Sequence, residues 1–186
     1  MNPISNASLH KVVGSCLKKR FHYAREFEVL LAPECCEETE KRRTLSLFCA
    51  EKKGRDTRYR QADILVLVNG AIGVVVEIDG IKDPNPSFLM GRVAATAMCR
   101  FFIYGNLSIP FSPIVLFVQI LNRAQMRNGS KLRQFVNIER DVNEGLLKFP
   151  GSSVSRYNLI CGLPEDFADG GECHATLVKT VGEALS

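Results

Sequence analysis

Apolar positions along this chain follow two periods, and the alternation between them predicts its elements. Leu9, Val12, Val13, Cys16 and Leu17 recur at helical spacing, followed by Lys18, Lys19 and Arg20. They predict a helix over 9–23, opened by Asn6 or Ser8. Short apolar runs over 26–32, stopped by Pro33, and over 44–50, within an irregular hairpin, read as strands. Two strongly apolar strands, 62–68 and 73–78, fold onto each other through Asn69-Gly70 and Gly73. The breaker run Asp83-Pro84-Asn85-Pro86 ends this unit. Asn85 or Ser87 then opens a helix over 87–103, whose Gly91, Ala94, Ala95 and Ala97 permit close packing on a sheet. Residues 113–121 are apolar almost without interruption, as in a strand covered on both faces. Helices over 130–147 and 174–185, with a short strand over 157–161 between them, complete the chain.

A strand, a helix and a second strand in succession favour a parallel pair, whereas the hairpin before them favours antiparallel pairing. The expected fold is therefore α/β, with a central mixed β-sheet flanked by helices. One domain over 1–186 accommodates it, with a core over about 9–121 and C-terminal additions over 122–186. A hydrophobic content of 46% and a charged content of 24% are ordinary for a globular protein in water. No apolar run reaches the roughly 18 residues of a membrane span, so no membrane partner is expected. The opening residues lack the basic-then-apolar order of a secretory signal, which predicts an intracellular, cytoplasmic protein. The 7 cysteines are odd in number and include no CxxC pair, so they read as reduced structural thiols. Cys173-His174 would supply half of a zinc site, with no second half in view.

Charge changes the picture. Lys41, Arg42, Arg43, Lys52, Lys53, Arg55, Arg58 and Arg60 stand against only Glu51 and Asp56, giving 8 − 2 = +6 within 41–60. Directly after this segment come Asp63, Glu77 and Asp79. Glu77 and Asp79 are two apart and so share one face of their strand, while Val74, Val76 and Ile78 take the other. Carboxylates converging at one end of an apolar sheet are costly without compensation, which a hard cation such as magnesium would supply. A basic segment beside a carboxylate cluster also suits a phosphate-backbone substrate. Each feature has a plainer reading, the basic run as a solvated loop and the acids as strand-end charges paired with Arg58, Arg60 or other cations.

Element order and acids together resemble the PD-(D/E)XK nuclease superfamily, whose core is a helix, three strands, a helix and a strand. In that superfamily an Asp begins one strand, matched by Asp63, and an acid-x-Lys triplet lies on the next, matched at its first position by Glu77. Where the superfamily usually carries Lys, this chain has Asp79. The run Glu77-Ile78-Asp79-Gly80 is similar to that of very-short-patch-repair endonucleases, although Ile81-Lys82-Asp83 replaces their following His.

The resemblance implies a magnesium- or manganese-dependent endonuclease hydrolysing phosphodiester bonds in DNA. Its metal ligands would be Asp63, Glu77 and Asp79. Lys82, or failing it Lys52 or Lys53, would restore the missing positive group, and Lys52, Lys53, Arg55, Arg58 and Arg60 would hold the nucleic acid. Glu26 or Glu28 would add a carboxylate from the preceding strand. Cutting both strands with so small a domain implies a homodimer. The alternative is a catalytically silent member of the fold acting as a nucleic-acid-binding or assembly module. Among other residues, Arg92 and Arg100 would contact phosphate or stand in solvent, and Arg123, Arg127, Lys131 and Arg133 form a second basic patch. The spacing of His10, His22 and His174 indicates no histidine base, and no GxGxxG precedes a helix.

Overall fold

The computed structural model describes residues 6–22, 26–36, 43–126 and 130–186. Helix α1 (Asn6–Phe21) leads into β1 (Phe27–Leu31), β2 (Leu45–Phe48), β3 (Arg58–Ala62), β4 (Ile64–Val68) and β5 (Ala71–Asp79). Helix α2 (Pro86–Ala97), β6 (Phe101–Tyr104), β7 (Leu107–Asn122), α3 (Ser130–Glu144), β8 (Arg156–Gly162) and α4 (Glu172–Leu185) follow. The strands form one mixed sheet in the order β1-β4-β5-β7-β6-β2-β3, with β8 also on β7. Strands β1, β4 and β5 pair antiparallel, β5, β7 and β8 pair parallel, and β6, β2 and β3 return antiparallel from the other end of β7. The α/β class and the mixed sheet with helices on both faces are as expected.

Side-chain alternation sorts the sheet into two apolar layers. Leu65, Val75, Phe117 and Leu121 face α2 and α3 through Leu89, Val93, Phe135 and Ile138. Ile64, Val66, Val76, Val118 and Ile120 face α1 and α4 through Leu9, Val13, Leu17, Leu177 and Val181. Odd-numbered residues of β4, and of β5 beyond Gly73, thus share the α2 side, the side to which Glu77 and Asp79 belong, while Asp63 lies at the break between β3 and β4. Asn69 and Gly70 carry positive φ of 50° and 80°, the conformation that a two-residue hairpin between right-twisted strands requires. Gly73 is not part of this turn; it lies inside β5 at a shift of register with β4.

Two expectations fail for tertiary reasons. The single strand over 62–68 divides at Asp63, with β3 pairing β2 before it and β4 pairing β1 and β5 after it. The helix expected over 87–103 stops at Ala97. Its carbonyl accepts from Ser153 N–H at 2.8 Å, and Phe101 and Phe102 pair with Phe48 and Leu47 as β6. An aromatic, β-branched run finds more partners there in a ladder than in another helical turn. Helix α2 begins where the sequence places it: Asn85 Oδ1 accepts from Phe88 N–H at 2.8 Å, with Pro86 in the first turn. None of the 7 cysteines forms a disulfide, and among the described residues no helix is long and apolar enough to cross a membrane.

Phe117 lies fully buried against Tyr157, their ring centroids 5.7 Å apart. Phe117→Ala is expected to lower the unfolding free energy by about 3–5 kcal/mol, read from the midpoint of a denaturant titration.

Candidate functional site

Strand β5 ends with two carboxylates on a buried face, and the surrounding elements converge on them. Glu77 and Asp79 are only 6% and 3% exposed. Arg92, on α2, meets both: Nη1 pairs with Glu77 Oε1, and Nη2 lies 2.7 Å from Asp79 Oδ1. Its guanidinium sits over the Phe88 ring at 4.4 Å from the centroid, one helical turn back. Arg60, on β3, adds Nη2 at 2.5 Å from Glu77 Oε1. The other Asp79 oxygen accepts from Gln119 Nε2 at 2.6 Å, and Gln119 Oε1 accepts from the Tyr157 hydroxyl at 2.8 Å. Gln119 and Tyr157 are fully buried, so this relay fixes the Asp79 carboxylate in one orientation.

Asp63 closes the group from the start of β4. Its Oδ2 accepts from Ile78 N–H at 2.6 Å and lies 3.9 Å from His10 Nε2 on α1. Burial pushes the Asp63 carboxyl up, against the lowering effects of the Ile78 N–H and of His10. Burial also pushes Asp79 up to about 6, against donation from Gln119 and the charge of Arg60. Arg92 is brought down to about 10, by burial first and by the Arg60 charge second. Asp79 and Arg92 are therefore both charged at neutral pH. Above them opens a cleft of about 550 Å³, lined by Arg58, Tyr59, Arg60, Gln61, Asp63, Glu77 and Arg92.

The expected residues fall in different places. Asp63 and Glu77 line the cleft, while Asp79 is buried behind them. Arg58 and Arg60 line it too; Lys52, Lys53 and Arg55 are exposed on the β2–β3 connection. Lys82 is exposed beyond β5, and the positive groups that reach the acids are instead Arg92 and Arg60. Glu26 and Glu28 stand at the opposite end of the sheet, where Glu28 pairs with Leu67 and the Glu26 carbonyl accepts from Asn69 N–H. Arg100 is structural, donating to the carbonyls of Gly151, Ala97 and Cys99. Lys131 is bound to Asp83 at 2.5 Å, which ties α3 to the loop before α2. Lys41, Arg42, Arg127, Glu37, Glu38 and Glu40 lie outside the described residues.

A divalent ion held by all three acids does not fit this arrangement. Carboxylate oxygen is the right donor chemistry, but Glu77 and Asp79 are engaged by guanidinium and Asp63 by a backbone N–H. Among the described residues no three of His, Cys, Asp and Glu are disposed to ligate a metal. Sequence reasoning missed Gln119, Tyr157 and His10 at this site and left Arg92 undecided. The one available signal was the place of Arg92 beside the buried Leu89–Val93 stripe of α2. Comparisons with protein-family models, with curated proteins and with solved structures find no match to the chain.

Because the folded-state pKa of Asp79, about 6, lies above its ordinary value of 3.8, the native state holds this proton more tightly than the unfolded chain does. The contribution of Asp79 to stability is thus expected to fall as pH rises from about 4 to about 6. Unfolding midpoints of the wild type and Asp79→Asn, measured across that window, are expected to show wild-type stability declining relative to the variant. A parallel pair of profiles would refute this.

Proposed function

We propose that this chain is a nucleic-acid-binding protein on a nuclease-like α/β core, with DNA the expected polymer and no hydrolysis required for its role. Support for the core comes from the succession α1, β1, β4, β5, α2, β7, with antiparallel pairing among the three strands and a parallel return. That is the helix, three strands, helix and strand order of the PD-(D/E)XK resemblance. The observation that carries the binding reading is a division of charge. The acids at the cleft floor are balanced by Arg92 and Arg60, so they do not repel a polyanion as bare carboxylates would. The exposed Arg58 lines the cleft, and Lys52, Lys53 and Arg55 stand exposed on the connection that leads into its strand. Guanidinium forks and ammonium groups engage phosphate oxygens without reading sequence, and the exposed Tyr59 offers a ring against which a base can stack.

A second reading is favoured by one observation, that Asp63 and Glu77 line the same cleft. In it the protein is a magnesium- or manganese-dependent endonuclease, acting as a homodimer where both strands are cut. Divalent-dependent cleavage of DNA or RNA that vanishes in Asp63→Ala and Glu77→Ala would establish this reading over the first.

For the first reading, fluorescence anisotropy of a labelled oligonucleotide in chelator is expected to show binding that weakens linearly with log salt. Combining Lys52→Glu, Lys53→Glu and Arg58→Glu is expected to make that slope shallower, by about 0.9 for every duplex phosphate no longer neutralised. Binding absent even at low salt would sink this reading.

A further inference from the structure

We infer that Arg92 is a built-in substitute for a divalent cation, holding Glu77 and Asp79 together where such an ion would sit and keeping the ion out. This deepens the binding reading given above and assigns the cleft a metal-independent mode of engagement.

Geometry makes the case. A divalent ion shared by two carboxylates bridges one oxygen from each, and the Arg92 fork does the same with its two terminal nitrogens. Arg60 reaches the Glu77 oxygen that Arg92 also holds, so the two guanidinium groups together bring the charge of one divalent ion. Charge-assisted pairs of this kind are strong, and an entering ion would have to break them before forming its own bonds. The fork is also fixed in place. Helix α2 carries it, the Phe88 ring lies beneath it, and the Asp79 oxygen it does not touch is locked by Gln119 and Tyr157. Arg92 Nε is buried and makes no hydrogen bond, so contact with the two acids is met at the expense of the side chain's remaining donor. The Arg92 guanidinium stays protonated at neutral pH. Only a competing cation, or loss of the side chain, would clear the acids.

Manganese alone, without nucleic acid, is the probe. Calorimetric titration of the wild type with Mn²⁺ is expected to give no binding in the millimolar range, and its thermal midpoint is expected to stay unchanged. Arg92→Ala leaves Glu77 to Arg60 alone and frees Asp79 Oδ1, and is expected to bind Mn²⁺ at least about tenfold more tightly, with a midpoint that rises by several degrees on adding the ion. Adding Glu77→Gln to that variant is expected to abolish both effects. Arg92→Lys, which keeps a charge but cannot bridge, is expected to fall between. Should Arg92→Ala fold only when Mn²⁺ is present, the inference is supported. Should it fold in neither condition while Arg92→Lys binds no more Mn²⁺ than the wild type, the inference fails. Wild-type affinity for Mn²⁺ within about tenfold of that of Arg92→Ala also overturns it. Oligonucleotide binding in chelator tests the underlying reading separately, so failure of one does not mimic failure of the other.

Discussion

Two like charges two residues apart on a buried strand face are the constraint around which the rest of this molecule is arranged. Unit charges about 4 Å apart repel by about 4 kcal/mol in the effective dielectric of a protein near its surface. Glu77 and Asp79 escape this repulsion only because cations arrive from two directions, Arg92 from α2 and Arg60 from β3, the edge strand that pairs with β2. The position of α2 is therefore set by electrostatics at its first two turns and by apolar packing of Leu89, Val93 and Ala97 along its length. Strand β3 is drawn to the same point, which is why the chain divides at Asp63 instead of running through as one strand.

The wider surroundings of these acids follow from the same need. Asp79 is almost wholly shielded from water and still has each oxygen matched, one by a guanidinium and one by the Gln119 amide. Gln119 in turn is held by a tyrosine hydroxyl from β8. A polar thread thus runs from α2 through β5 and β7 to β8, crossing a sheet whose other positions on that face are largely apolar. Buried polar groups of this kind are tolerated when every partner is present, and they favour one arrangement over its near alternatives.

Much of this architecture was legible in the chain. Alternation in Ile64–Val68 and Ala71–Asp79 separates the two faces, and Asn69-Gly70 is a turn that a hairpin explains. The approach of Asp63 to Glu77 was not legible: the plain two-residue turn pairs Val68 with Ala71 and would set Asp63 opposite Val76, and only the register shift at Gly73 brings it toward Glu77. What stayed hidden depended on distance in sequence. Arg92 reads as one more helix-surface cation until its strand partners are placed opposite it. Gln119 and Tyr157 sit in runs of apolar residues where a single polar group gives no sign of what it faces. Phe101–Tyr104 continued a helical pattern locally and became a strand because Leu47 and Phe48, far earlier in the chain, offered it a ladder. Periodicity reports which face a residue takes; it does not report which residue stands across from it.

Strand β7 has an implication for motion. One uninterrupted backbone of 16 residues pairs with β6 near its start and with β5 and β8 near its end. The lobe bearing the exposed cations and the layer bearing the acids are thus fastened to a common beam, not hinged on a loop. Between the two sets of pairs, residues 112–115 carry no ladder partner, so any flexing of one relative to the other would fall within that stretch of the strand. The separation between the two is therefore set by the course of one strand and not by the length of a loop.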